Sequence, residues 1–485
     1  MKRWFDRAGP LRTAARWLFL ATLIYAPWAY GCTTPETIAV LNKLLAVVLG
    51  LWIADLLVTR RLPIVLPSFI AITAALLAIG WWMVLNAPTI YDSDLSVFMP
   101  RAQPFPKLPG SVDQVLSAAW MVRATLLLGV AWFVADLALR PLWLMRLWGA
   151  ASIAGGSVAL LGLLQKASGA KMLFWGEAPA APFKTFFASY YYHANAGAFL
   201  NLAMPVAVGL GIRVLDRPGP AVARALWPAS AFCLLLAVIA NTSRVSQMIG
   251  VSLMLALAVL WLRARVGATS RREVPGILAG IAVVMATAFA VAQASQLDQP
   301  LLRWGQLRAH LPADSRWLAA LVAWRGAPEA GWFGFGPGTF RVVFPYFAGY
   351  VEDGLTGEWR FLHQDYLQTL VEWGHAGAAL WGAFFFGGIA VAMRNLRSKR
   401  ANDWMPRRKI VLPLIVLALL ATAVHALVDF PLQIASLQLY VATYLGICWG
   451  SLAWADESAA EKQSTPDVAA PGRQRKRRRR VPPES

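Results

Sequence analysis

Residues 36–86 read ETIAVLNKLLAVVLGLWIADLLVTRRLPIVLPSFIAITAALLAIGWWMVLN. Two apolar runs, 36–59 and 64–86, are parted by little more than Arg60, Arg61 and Pro63. A helix needs roughly 20 apolar residues to cross a bilayer, and each run supplies them. Strands at this depth would leave backbone groups unsatisfied in hydrocarbon, so the runs read as two membrane helices joined by a tight basic turn. The same criterion, applied outward, gives further spans near 17–31, 116–138, 144–166 and 186–212. A second set falls near 224–241, 243–264, 274–294, 366–393, 409–429 and 434–454. The expected fold is an all-α polytopic membrane protein of about twelve helices.

Composition agrees. Of 485 residues, 58% are hydrophobic and 14% charged, against about 25% charged in a soluble domain. That excludes a water-soluble multi-domain enzyme and a disordered chain. The formal charge is +20, and its placement tests the topology. With the N-terminus in the cytoplasm, the inside connections hold Arg60/Arg61, Arg140/Arg146, Arg213/Arg217/Arg224, Arg263/Arg265/Arg271/Arg272 and the stretch Arg394 to Lys409. The tail Arg473–Arg480 joins them. Every dense basic cluster lies on one side, as the positive-inside rule requires, so both ends are expected inside. The charge is a topology signal rather than a nucleic-acid site. The basic N-terminus runs into an apolar segment with no small-residue cleavage site, which reads as an uncleaved first helix. Cys32, Cys233 and Cys448 are too scattered for a disulfide framework or metal-ligand spacing.

The expected organisation is a membrane domain over 1–454 and a disordered polybasic cytoplasmic tail over 455–485. The outside receives long connections at 87–115 and 295–365 and a shorter one at 167–185. Loops as long as 295–365 are usually functional. Inside it, Ser315–Arg325 has helical periodicity, with Leu318, Leu321 and Val322 on one face. No internal repeat appears, nor the inverted pair of broken helices that marks many transporters.

Polar groups on the outer side form four constellations. Ser243-Arg244 lies in the turn Asn241–Arg244. Arg316 is followed by Gly334-Phe335-Gly336-Pro337-Gly338-Thr339-Phe340, whose alternate glycines permit positive φ and close backbone approach. It is no nucleotide P-loop, because no Gly-Lys-Ser/Thr follows. His363 opens the tenth span, and Gln364, Gln368 and Glu372 follow at i+4 steps on one stripe. Glu372 would sit about 10 Å below the helix start at 1.5 Å per residue, with a structural ion pair to Arg123 as the plain alternative to function. His425 and Asp429, one turn apart, either orient a neighbouring side chain or end a helix before Pro431. Arginines converging on one outer pocket suit a pyrophosphate, and a nearby histidine suits an acceptor hydroxyl. No D-x-D-like cluster or His/Cys ligand set occurs in the outer loops, so no metal or cofactor is expected.

These residues resemble the signatures of the O-antigen ligase / O-antigen polymerase superfamily of bacterial envelope glycosyltransferases. The Arg316…Gly334–Phe340 run is similar to its loop signature. His363–Gln368 with Glu372, Gly374 and Gly377 resembles its H-N-x-x-L-Q-x-x-x-E-x-G-x-x-G segment, with Gln364 in place of the usual asparagine. Ser243-Arg244 resembles its S-R turn. His193-Ala194-Asn195 with Pro205 resembles an N-x-N…P helix, with His193 where an asparagine is common, and Val428–Leu432 resembles a stretch of bacterial members. The resemblance covers about residues 180–435. It implies a GT-C-like, metal-independent, inverting transfer of glycan from undecaprenyl pyrophosphate on the periplasmic face of the inner membrane. Arg244 and Arg316 would then clamp the pyrophosphate and His363 would position or activate the acceptor. Gln368, Glu372, Gly334, Gly336, Gly338, His193, Asn195 and Asp429 would bind substrate or support them. The acceptor could be lipid A–core, a growing glycan or a protein hydroxyl. Two competing readings are a flippase for lipid-linked oligosaccharide, with polar groups near the midplane, and a membrane scaffold, which leaves Arg316, His363 and Glu372 unexplained.

Overall fold

The computed structural model describes residues 9–177, 186–215, 220–266, 304, 315–349, 355, 358–398, 401, 404 and 406–454. The span expected at 274–294 and the tail from 455 lie outside the described residues. The helices are α1 (Pro10–Trp28), α2 (Pro35–Thr59), α3 (Pro67–Leu85), α4 (Gln114–Leu137), α5 (Pro141–Ala167), α6 (His193–Leu215), α7 (Ala221–Ala240) and α8 (Arg244–Val266). They continue as α9 (Ser315–Gly326), α10 (Phe340–Ala348), α11 (Asp365–Arg397), α12 (Pro406–His425) and α13 (Ala435–Gly450). Among the described residues, nine helices are long and apolar enough to cross a membrane: α2 to α8, α11 and α12. The protein is an all-α polytopic membrane protein.

Local rules set the helix starts. Proline occupies the first position of α1, α2, α3, α5 and α12, where its missing N–H costs nothing. Thr34 and Thr37 form a reciprocal capping box on α2, and Asp113 accepts the Val115 and Leu116 amides of α4. The turn after Ala240 is as tight as its sequence indicates, whereas α3 begins at Pro67 rather than at the expected 64, so the turn after Thr59 is longer. α1 begins seven residues before the expected 17, at Pro10. Its early arginines are tolerated because each has a partner: Arg12 Nε bonds Asp55 Oδ2 at 2.7 Å, and Arg16 lies 5.0 Å from the Trp143 ring centre.

The core centres on α6 and α13, buried along almost their whole lengths. α13 packs on α4 and α11, and α6 on α5, α7 and α12. Small residues allow this: a Cβ at Gly446 would lie 2.5 Å from the Ala131 carbonyl oxygen, so α13 and α4 meet backbone to backbone. The 87–115 connection carries a β-hairpin, Thr89–Asp92 paired antiparallel with Val97–Pro100. α9 and α10 form a separate apolar cluster with Leu362, Leu367 and Val371, so they rest on the first turns of α11. α9 lies where its periodicity places it, but its buried stripe is Ala319, Val322, Ala323 and Gly326, while Leu321 faces out. The small stripe wins because α10 approaches closely: a Cβ at Gly326 would lie 2.6 Å from the Phe347 ring.

α11 is broken at Gly374, whose φ of 63° and ψ of −171° leave the helical region. The break would orphan the Val371 and Glu372 carbonyls and the His375 and Ala376 amides. The glycine-rich loop takes all four. Phe335 N donates to Val371 O at 3.1 Å and Gly336 N to Glu372 O at 2.9 Å. His375 N donates to Gly331 O at 3.2 Å and Ala376 N to Trp332 O at 3.0 Å. The loop is thereby spliced into a membrane helix, one bond for each orphaned group, which is what a break inside hydrocarbon requires.

Candidate active site at the outer mouth

His363 stands just before α11 in the left-handed region, at φ 62°. That conformation is uncommon for a residue with a Cβ and persists only where its surroundings hold it. Here Gln364 caps α11 by accepting the Leu367 amide, and Gln368 Oε1 accepts the Leu362 amide at 3.0 Å. The ring stands edge-on to Phe430, 4.6 Å between centres. His363 Nδ1 lies 3.1 Å from Asp429 Oδ1. Burial pushes the Asp429 carboxyl up, but the His363 bond and the charges of His363, His425 and Arg316 outweigh it and hold it below the usual carboxylate value. An ionised Asp429 makes Nδ1–H the donor of this bond.

Asp429 also holds Tyr192, whose hydroxyl donates to Oδ2 at 3.3 Å. Tyr192 in turn accepts from the Arg316 guanidinium at 2.9 Å. Burial and the Asp429 charge raise the Tyr192 pKa, so the hydroxyl remains a donor. Arg316, Tyr192, Asp429 and His363 thus form one hydrogen-bonded chain drawn from α9, the turn before α6, the turn after α12 and the turn before α11. Tyr192 stacks on Phe430 with an interplanar angle of 7°. Sequence reasoning missed Tyr192. The signal it offered was Tyr190-Tyr191-Tyr192 directly ahead of His193, at the expected outer end of that span.

The expected residues fall into three groups. Arg316, His363 and Asp429 are brought together by the chain just described. Arg244, His193 and Asn195 border it: the Asn241 side chain donates to His193 O at 2.9 Å and accepts the Ser243 amide at 2.8 Å, welding the turn that carries Arg244 to the start of α6. The His193 ring centre is 5.0 Å from that of Tyr192, and Asn195 N donates to Tyr192 O at 3.1 Å. The third group supports the frame. Gly334, Gly336 and Gly338 have φ of 77°, 115° and 74°, yet what they approach is protein: the Glu372 carbonyl, Ser111 and Trp120. Glu372 accepts the Gly338 amide at 3.1 Å, the Phe340 amide at 3.2 Å and Gln368 Nε2 at 3.1 Å. Its carboxylate is taken by the glycine loop rather than by a contact ion pair with Arg123.

Residues 229–382 match the family model described as O-Antigen ligase. No curated protein matches the chain. The matched segment carries Arg244, Arg316, the spliced glycine loop and His363, while Tyr192 and Asp429 complete the chain from outside it. Over that segment, about a third of its length, the protein is similar to the O-antigen ligase family.

Proposed function

We propose that the protein transfers a glycan from undecaprenyl pyrophosphate to an acceptor hydroxyl at the periplasmic face of the inner membrane, with inversion and without a metal. The observation that supports this most is the chain from Arg316 through Tyr192 and Asp429 to His363. It sets a phosphate-binding fork and an oriented imidazole on one mouth. The acceptor hydroxyl attacks the anomeric carbon as its bond to the pyrophosphate oxygen breaks. Arg316 and Arg244 neutralise the departing undecaprenyl pyrophosphate. His363 Nε2 accepts the hydroxyl hydrogen bond and takes the proton as attack proceeds, and Asp429 stabilises the imidazolium. Gln368, Glu372 and the glycines hold Arg316 and His363 in register. The acceptor is lipid A–core or a growing polysaccharide, with a protein hydroxyl as the alternative.

The test is the purified full chain with an undecaprenyl-pyrophosphate oligosaccharide and EDTA. Release of undecaprenyl pyrophosphate on adding lipid A–core, glycan or acceptor peptide identifies the reaction. Donor movement across vesicles without turnover on any acceptor would replace this reading with a flippase.

A further inference from the structure

Arg123 of α4 is used by none of the chemistry above. It lies nine residues into a membrane helix, about 14 Å below its start at 1.5 Å per residue. Among the described residues, no hydrogen bond or contact ion pair satisfies its guanidinium, which feels the charges of Glu372 and Arg360. An ionisable group at such depth is retained for a partner, because leaving it bare is costly. The two carboxylates at its level are turned elsewhere. Glu372 holds the glycine-loop amides, and Asp365 accepts the Leu432 amide at 2.8 Å and the Gln433 side chain at 3.0 Å.

Arg123 lines a cavity of about 220 Å³ between α4, α11 and α13. The chamber is amphipathic along the membrane normal. Its outer end carries Arg123, Thr369 and Gln438, and its deeper walls are Leu128, Phe384 and Leu445. It reaches Phe386, which is exposed on the bilayer-facing surface. A side chain at Gly382, on the same wall, would meet nothing within 4 Å. Leu432 and Gln433, held by Asp365, line the side of the chamber nearest the segment carrying Asp429 and Phe430.

We propose that this chamber binds one anionic membrane phospholipid, its phosphodiester on Arg123 and the upper part of one acyl chain along Leu128 and Phe384. Asp365 and Glu372 also line the chamber but are bound to amide donors, so Arg123 is the lining group without a contact counter-charge, and an anionic head supplies one. A guanidinium fork matches phosphate oxygens bidentately. The volume takes the head-proximal atoms, and the rest of the chain leaves past Phe386 into the bilayer. The site is separate from the glycosyl-transfer mouth and does not depend on that reaction.

Native mass spectrometry of the purified full chain, titrated with phosphatidylglycerol or phosphatidylcholine, tests it. The expected result is one retained phosphatidylglycerol per chain, with phosphatidylcholine displaced first. Arg123→Met lowers retention by about tenfold or more, the worth of one charge-assisted contact. Gly382→Trp, which fills the chamber and leaves the charge, lowers it similarly and decides the matter if Arg123→Met does not elute as a folded species. Arg316→Ala retains the lipid as the wild type does. Unchanged retention in both chamber variants, equal retention of the two lipids, or displacement by a polyprenyl pyrophosphate would overturn the proposal.

Discussion

The two ends of the helix bundle handle charge in opposite ways. At the end where α2 meets α3 and α4 meets α5, cations are matched directly. Arg61 forms a bidentate pair with Asp136 at 2.7 Å on both oxygens, and Arg12 pairs with Asp55 at 2.7 Å. Arg408 reaches the Leu139 and Trp454 carbonyls. At the other end, Arg316 donates to the Tyr192 hydroxyl, which joins it to Asp429, and the other oxygen of Asp429 holds His363 directly. A cation bonded straight to a carboxylate or carbonyl fixes helices, whereas Arg316 is tied through a hydroxyl into the network that also orients His363. The comparison separates the basic residues that build the membrane domain from those proposed to act on a pyrophosphate.

The sharpest way to break that distinction is to remove each kind and compare turnover. Arg316→Ala and His363→Ala are expected to lower transfer by about 10³-fold with unchanged expression, since each supplies transition-state stabilisation or proton transfer. Release of undecaprenyl pyrophosphate at the wild-type rate by either variant would remove that residue from the mechanism.

Asp429→Asn comes next, with a loss of about 10²-fold, because an orienting carboxylate fixes both the tautomer and the developing charge of its histidine. Its pH behaviour has a definite sign. The folded pKa of Asp429 is held below the ordinary aspartate value of 3.8. Its contribution to stability is therefore fully present above 3.8 and is lost as pH falls through the lower folded value. The wild type should out-melt Asp429→Asn by a constant margin from pH 5 to 8, and the margin should close only below that range. A margin that shrinks already between pH 7 and 5 would mean that Asp429 takes up its proton early and is no fixed carboxylate.

How much of this was legible in the sequence depends on whether a contact is periodic or convergent. The nine spans among the described residues followed from hydropathy alone, because lipid forces backbone bonds to close within each helix. Arg316 and His363 were legible because charge and imidazole are conspicuous beside apolar spans, and the resemblance tied them together. Tyr192 was not, since a tyrosine near a membrane surface is commonplace until Asp429, 237 residues away, is seen to accept its hydroxyl. Glu372 was visible as a buried carboxylate but not as the anchor of the glycine loop, because that splice joins segments through backbone groups, which all residues share. The positive φ of the three glycines was legible; that they approach α11, Ser111 and Trp120 was not.

Tyr192→Phe probes the link itself and is expected to cost about tenfold, the worth of one hydrogen bond to a charged group. The loss should fall on kcat more than on KM for the donor, because the hydroxyl aligns Arg316 with Asp429 and the guanidinium itself remains. An equal rise in KM with kcat unchanged would instead make Tyr192 a binding residue.

The smallest effect on turnover belongs to the matched end. Asp136→Asn leaves Arg61 without its carboxylate and removes an acceptor of the Trp52 indole N–H, 3.3 Å away. Removing one partner of a buried pair destabilises by roughly 3–5 kcal/mol, reduced here because the Arg61 side chain remains 32% exposed and keeps part of its hydration. The melting temperature should fall while turnover per folded molecule stays at the wild-type level. If turnover fell as far as in Tyr192→Phe with the fold intact, the two ends would be coupled, and pairing against chaining would no longer divide structure from chemistry.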